Sequence, residues 1–523
     1  MEDRRVKYPI GVQDFGKLIS EGYAYVDKTA ILHDLITSNS CCFLSRPRRF
    51  GKSLTLSTLQ AYFEGRKDLF NHLEMSRLEK DWKKHPVFLL SFARFEKNRQ
   101  DSIENILEFH LRKWEQEYGL TAEGLDFPNR FANIIEKSAN ITGQRAVVLI
   151  DEYDSALVST LEDKKLHEHI RSVLKPVYTV IKDCDRFIRF SLITGVTRFS
   201  KLTIFSGLNN INDISLYEEY SSICGITSEE LDKYFKTGIE TLGREIGGTY
   251  NETVKQLKDY YDGYHFSKKS PDIYNPFSIL NVLKSKSFGN YWYETGIPSI
   301  IVERMRNQDL DIERYINPLA PETMLKEADS AYNSDLAILF QAGFITIKGY
   351  DRGKNAYRLG IPNREVKEGM SRLFMETFIS PDTMKNNALI FDLTDSIRKG
   401  DPEGFLNILK GFLAGVPFDL SKGDKEVYFH NAFYIVTSLI GLNVEAERHV
   451  SSGSIDIVLS TPDYVYVIEI KLNKKPQDAI DQINSKEYAL HWSAGKREVF
   501  KIGVVFSSRT RTLKDCVILR ERA

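Results

Sequence analysis

A short apolar run, a basic turn closed by glycine, and an amphipathic helix follow one another near the start of this chain, and they restrict its fold more than any other feature. Cys41–Leu44 reads as a buried strand. Arg46-Pro47-Arg48-Arg49-Phe50-Gly51-Lys52-Ser53 reads as the turn, and Leu54, Leu56, Leu59 and Tyr62 as the apolar positions of the helix. Further apolar runs at Val87–Phe92, Ala146–Ile150 and Phe187–Thr194 have the length of strands. Amphipathic stretches separate them. In Ser102–Trp114, Ile103, Ile106, Leu107, His110 and Leu111 recur at helical spacing. Strands joined through helices pair in parallel, and continuous apolar runs such as Val147–Ile150 suit strands covered on both faces. Residues 1–225 are therefore expected to form a mostly parallel α/β sheet.

The chain has 523 residues, too many for one ordinary domain. From Thr227, with Glu229 and Glu230 in a first helical turn, the pattern becomes helical, so 226–310 reads as a helical lid. The aromatic run Tyr260-Tyr261-Asp262-Gly263-Tyr264-His265-Phe266 is expected to pack a loop against it. Within 311–375, a helix at Asp335–Ala342 leads through Gly343 to Phe344–Lys348, a turn at Gly349–Lys354 and Ala356–Leu359, the order of a winged-helix module. Residues 376–424 read as helical connectors, and 425–523 as a second α/β domain. That domain would hold a helix at 429–440, strands at Asp456–Leu459 and Tyr464–Ile470, a helix at 477–490 and a strand at Lys501–Phe506.

With 71 basic and 72 acidic side chains the formal net charge is −1, which excludes a uniformly basic coat; any nucleic-acid surface must be a local patch. Five cysteines without a CxxC pair fit a reducing, cytoplasmic location and argue against structural zinc. No apolar leader and no membrane-length apolar run is seen, so no membrane role is expected.

Phosphate binding needs backbone N–H groups at a helix N-terminus, a lysine for the phosphate charge and a hydroxyl for Mg²⁺. Gly51, Lys52 and Ser53 supply these between a strand and a helix. Arg46 stands where GxxxxGK[ST] has its first glycine. Arg46, Arg48 and Arg49 are expected to add positive charge near the phosphates. Asp151, ending the strand Val147–Ile150, would share Mg²⁺ with Ser53, and Glu152 would orient the attacking water. Asp154 reads as a helix cap. Thr194 would sense a γ-phosphate, and Arg198 would contact it in cis or in trans. The plainer readings are a basic turn before a helix and a surface turn after Thr194.

Near the C-terminus, Gly453-Ser454-Ile455-Asp456 precedes Val467-Ile468-Glu469-Ile470-Lys471. Glu469 and Lys471 are two apart and share one face of a strand, where unpartnered charge would be costly. Asp456 and Glu469 would hold Mg²⁺, with Lys471 positioning the water. Glu447 would be a further acid, and Gln482 on the next helix a contact to substrate or water. His430 and His449 read as structural. The tail residues Arg509, Arg511, Lys514, Arg520 and Arg522 read as a solvated helix face or a phosphate patch. An amphipathic surface strand is the plainer reading of the Glu–Lys pair.

Two blocks carry a resemblance. Tyr8-Pro9-Ile10-Gly11-Val12-Gln13-Asp14-Phe15, Tyr25-Val26-Asp27-Lys28-Thr29, the Arg46–Ser53 turn and Phe205-Ser206-Gly207-Leu208-Asn209-Asn210 resemble the AAA-ATPase-like domain of a bacterial family. The C-terminal block resembles the PD-(D/E)XK nuclease-superfamily domain that accompanies it, with a restriction-endonuclease-like α/β fold. The resemblance implies that arginine is tolerated at the first P-loop glycine. It does not fix whether ATP is hydrolysed or only bound, nor the substrate; from the motifs, ATP and Mg²⁺ are the expected cofactors and DNA, less readily RNA, the expected partner, with a homo-oligomer left open. The reading is an ATPase joined to a metal-dependent nuclease. The alternatives are a nucleotide-dependent regulator that binds nucleic acid without cutting, and a signalling ATPase scaffold that binds proteins.

Overall fold

The computed structural model describes residues 6–99, 101–121, 124–160, 163–198, 205, 207–208, 210–292, 318–326, 335–378, 383–414, 436, 443–450, 453–489, 492, 497–507 and 513–521. The chain divides into two compact units, Met1–Ile300 with Asn317–Glu365, and Ile301–Ile316 with Val366–Ala523.

In the first unit, strands β1 (Cys41–Ser45), β2 (Val87–Ser91), β3 (Ala146–Asp151), β4 (Ile188–Gly195) and β5 (Asn212–Asp213) form a parallel sheet in the order β2-β3-β4-β1-β5. The order leaves β4 between β1 and β3, so the ends of all three lie along one edge. Every residue of β1 and β3 is buried, as expected for strands covered on both faces. Helices Ser102–Tyr118, Phe127–Thr142 and Lys164–Asp183 bury Leu107, Ile134 and Leu174 against Phe88, Val148 and Ile150. The first two are also joined where the Arg130 guanidinium forks onto both Glu115 oxygens at 2.8 Å. Helix Lys52–Phe63 lies along β2, β3 and β4, with Phe63 stacked on Phe190.

Helices Ser228–Ile246, Tyr250–Tyr261 and Pro276–Ser285 share a second core around Leu231, Phe235, Leu257 and Ile279. Their starts are fixed locally. Thr227 with Glu230 and Thr249 with Glu252 form reciprocal capping boxes, and Asn275 caps the third helix ahead of Pro276. Helix Asp335–Ala342 then leads through Gly343 into a three-stranded antiparallel sheet of β6 (Leu319–Pro321), β7 (Thr346–Asp351) and β8 (Ala356–Gly360), ordered β6-β8-β7. The helix and hairpin fall where the sequence pattern puts them.

Helix Arg364–Phe378 begins at the end of the first unit and continues into the second, which also carries helices Thr383–Arg398 and Pro402–Ala414. The second unit's sheet is made of β9 (Asn443–Val450), β10 (Gly453–Ser460), β11 (Tyr464–Leu472), β12 (Glu498–Phe506) and β13 (Leu513–Glu521), in that spatial order. Only β11 and β12 are parallel, because helix Pro476–Ser485 crosses between them. Ile480 and Ile483 of that helix pack on Val458, Val465, Val467 and Val499. The tail is corrected here. Lys514 and Arg520 lie on a strand, β13, not on a helix, and Arg520 pairs with Glu498. Arg509, Arg511 and Arg522, His430 and most of the expected helix at 429–440 lie outside the described residues.

Gly503 of β12 sits under the start of the crossover helix. A Cβ there would be 2.5 Å from the Pro476 carbonyl and 3.1 Å from Ala479 Cβ. Gly503→Ala should therefore destabilise this unit by about 1–3 kcal/mol through overpacking. A urea midpoint equal to wild type would contradict this packing.

Candidate functional site

The turn after β1 is shaped by two left-handed residues, Arg49 at φ +68° and Gly51 at φ +100°. The space beside the Gly51 α-carbon is open, so an anion can approach its backbone. Helix Lys52–Phe63 starts there, and its first N–H groups have no partner within the helix. The Lys52 ammonium is 7% exposed and folds back to donate to the carbonyls of Arg46 (2.9 Å) and Pro47 (3.0 Å). Three carboxylates, Asp154, Asp151 and Glu152, act on it through space. Burial pulls the Lys52 ammonium below the usual lysine range, and these acids oppose that shift.

The acids come from the end of β3 and the turn after it. Asp151 is buried and accepts from the Thr194 hydroxyl at 2.8 Å, so the ends of β3 and β4 are joined by side chains as well as by the ladder. Glu152 has a left-handed backbone (φ +51°), and burial and neighbouring Asp151 push its carboxyl up. Asp154 does not make the expected cap hydrogen bond to the helix after it. Instead it accepts from the backbone N–H groups of Val196 (3.0 Å) and Thr197 (2.6 Å) and from the Thr197 hydroxyl (2.5 Å). Gly195 permits this closure, since a Cβ there would be 2.5 Å from the Tyr153 ring and 2.6 Å from Asp154 Oδ1. Ser53 lies half-buried in the first turn of the helix.

The arginines are distributed differently from the expectation. Arg46 is 1% exposed; its guanidinium donates to the carbonyls of Ser45, Ser215 and Tyr220 and lies 4.2 Å from the Phe266 ring centroid. It is a packed structural group rather than a solvent-facing phosphate contact. Arg49 lies over the Phe277 ring at 4.5 Å. Arg198 is buried in an ion pair with Asp213, while its guanidinium also donates to the Leu325 carbonyl at 2.7 Å. Beside Gly51 a small cavity of about 100 Å³ is lined by Pro9, Val26, Lys28, Leu54, Ile226 and Leu280. Lys28 at its wall donates to both Glu230 oxygens at 2.6 Å.

In the second unit, Ile457 pairs with Ile468, and Ile455 and Ile457 pair with Arg448 and Ala446. Continuing this register by one step places the backbone positions of Glu447, Asp456 and Glu469 in one row across β9, β10 and β11, with Gly503 next on β12. The side chains of Glu447 and Asp456 lie outside the description. Glu469 is 1% exposed. Its Oε1 accepts from Lys471 at 2.9 Å and from Gln482 Nε2. The i, i+2 spacing of Glu469 and Lys471 made their shared face legible. Nothing in the sequence marked β9 as the strand that brings Glu447 beside Asp456.

Residues 9–205 match the family described as AAA-ATPase-like, a predicted AAA-ATPase, and residues 424–516 match the PD-(D/E)XK nuclease superfamily. The chain is also 32% identical over 527 residues to a protein of Azotobacter chroococcum mcd 1 described as an uncharacterized protein in the vnfD 5′ region, covering 98% of this chain and 99% of that one. The chain belongs to this family of AAA-ATPase-like proteins with a PD-(D/E)XK nuclease-superfamily domain. Among the described residues no helix is long and apolar enough to cross a membrane.

The turn after β1 borders the aromatic run foreseen as a loop-packing segment. Tyr264 and Phe266 meet Phe50 edge-on, at 4.9 and 5.5 Å between centroids. Two residues before Tyr264, Asp262 is 1% exposed, and burial, reinforced by Asp272 and opposed by Lys258, pushes its carboxyl up to about 7. A carboxyl raised on folding stabilises the folded state fully below the unfolded carboxylate range, and this contribution is lost as pH rises through about 7. Asp262→Asn should therefore gain on wild type between about pH 4 and 7, by up to about 4 kcal/mol. Urea midpoints at pH 5 and pH 8 check this; a gap independent of pH would refute it.

Proposed function

We propose that the chain binds and hydrolyses ATP at the Lys52 site and cleaves DNA at the Glu469 site, each with Mg²⁺. The observation that carries the first half is the buried Lys52 ammonium at a helix start, surrounded by Asp151, Glu152 and Asp154. The donor set fits a nucleotide with its metal: open backbone beside Gly51, a lysine, a hydroxyl at Ser53 and a carboxylate at Asp151. Lys52 would exchange its two carbonyl partners for phosphate oxygens. Ser53 and Asp151 would hold Mg²⁺, which when bound neutralises phosphate charge. Glu152, with its raised pKa, would orient or accept a proton from water, and Thr194 keeps Asp151 aimed. The small apolar cavity beside Gly51 is where this reading would seat part of the base.

For the second half, the row of Glu447, Asp456 and Glu469 supports a metal-binding edge. Lys471 and Gln482 meet on one oxygen of Glu469, so the buried carboxylate is held in one orientation. Asp456 and Glu469 would hold Mg²⁺, and Lys471 would polarise the water. A net charge of −1 favours recognition through a local site over broad electrostatic capture, and it keeps a non-cutting regulator as the second reading.

The deciding assay incubates linear and circular DNA, with an RNA arm, with Mg²⁺ or Mn²⁺ in the presence and absence of ATP. Wild type should cut, chelation should abolish cutting, and Lys471→Ala should lower it by about a hundredfold or more. Lys52→Ala should abolish ATP turnover. Intact substrates under all conditions, with ATP turnover retained, would replace the nuclease reading with the regulator.

A further inference from the structure

The turn that carries Lys52 lacks the glycine that usually gives a phosphate loop its path, and its replacement, Arg46, is locked inward. What sets the path instead comes from residues 175 or more positions further along the chain. The Arg48 carbonyl accepts from the Trp292 indole N–H at 3.0 Å. Trp292 is 1% exposed; its own backbone N–H donates to Glu365 at 2.7 Å, and the other Glu365 oxygen takes the Ser278 hydroxyl at 2.7 Å. Phe344 packs on the Trp292 ring at 5.4 Å. Next to it Gly343, at φ +90°, lies so close to Pro47 that a Cβ would be 2.8 Å from the proline Cβ and 2.9 Å from its Cγ. The Phe50 carbonyl accepts from Gly225 N–H at 3.1 Å.

We propose that Trp292 and Gly343 are positioning residues of the nucleotide site. They hold the 47–48 backbone in its phosphate-binding path in place of the absent glycine, and they couple the nucleotide to the helix and three-stranded sheet that follow Pro318. This rests on the reading of Lys52 as the phosphate lysine. The argument is one of competing partners. A phosphate at the Lys52 ammonium takes the place of the Arg46 and Pro47 carbonyls, so those two hydrogen bonds no longer tether the turn. The Trp292 hydrogen bond and the Gly343 contact remain, and they fix the turn in the bound form. Because Gly343 ends helix Asp335–Ala342 and leads into β7, any shift of Pro47 is felt there directly.

The test is thermal unfolding of the full chain across an ATP–Mg²⁺ titration, for wild type, Lys52→Ala, Trp292→Phe and Gly343→Ala. ATP should raise the wild-type melting temperature, and Lys52→Ala should abolish the rise. Trp292→Phe keeps a ring and removes the N–H. It should need about five- to tenfold more ATP for half of the rise, the loss of one net hydrogen bond. Gly343→Ala, which leaves Trp292 in place, should shift the ATP requirement in the same direction and carries the test if Trp292→Phe fails to fold. Variants that melt lower with and without ATP by the same amount, at an unchanged ATP requirement, would have a structural role only and overturn the proposal. No ATP effect on wild type would overturn the nucleotide reading itself, and the proposal with it.

Discussion

The first unit depends on keeping one ammonium, that of Lys52, out of water. An isolated buried charge is prohibitive unless opposite charge and hydrogen bonds surround it. The fold meets this demand with groups from three strand ends. Carbonyls of Arg46 and Pro47 follow β1, Asp151 and Glu152 end β3 and begin the turn after it, and Thr194 at the end of β4 orients Asp151. These groups converge only because β4 lies between β1 and β3 in a parallel sheet, which brings all three C-terminal edges to one side. The acids have their own cost. Burial raises Glu152 and Asp154; Lys52 and Arg48 oppose this at Glu152, and the Thr197 donors and Lys52 oppose it at Asp154. The lysine and its acids thus support one another, and removing either side leaves the other buried with only its hydrogen-bond partners.

Much of this was legible in the sequence. The strands at Cys41, Val87, Ala146 and Ile188 were marked by continuous apolar runs, and the start at Thr227 by acids in the first turn. Asp151 and Thr194 stood out as polar residues at the C-terminal ends of buried strands, and Lys52 as the start of the helix after the basic turn. What the sequence did not reveal shares one cause: it depends on long-range partners. Nothing near Arg46 reveals that the carbonyls of Ser215 and Tyr220 and the ring of Phe266 will enclose it. Arg198 follows a strand end as a phosphate contact would, yet Asp213 on the edge strand β5 takes it. Asp154 precedes a helix as a cap would, but the Val196 and Thr197 amides are better placed donors.

The second unit shows the same limit in β form. Alternation marked Glu469 and Lys471 as sharing a face, and that follows from spacing alone. Which acids stand beside them is a matter of register, and register depends on pairing between strands. β9 has charged residues at Glu445, Glu447 and Arg448, so it gives little strand signal of its own, yet it supplies the backbone position next to Asp456. The tail was misread for a related reason. Lys514, Arg520 and their neighbours look like a solvated helix face, but the buried edge of β12 needs a partner for its backbone groups, and β13 provides it.

Both candidate sites place a buried charge where a glycine lets the backbone close in. Gly195 lets Tyr153 and Asp154 close on the end of β4, and Gly503 lets the crossover helix bring Gln482 to Glu469. In each case the charged group is fixed by a neighbour from a different element rather than by its own rotamer preference. A carboxylate such as Glu469, with Lys471 and Gln482 on one oxygen, has little freedom to turn, so its geometry is set before any ligand arrives. Pre-organisation of this kind lowers the reorganisation needed at a reacting phosphate, which is where most electrostatic catalysis originates. The glycines at 195 and 503 are then part of that geometry, although neither carries a functional group.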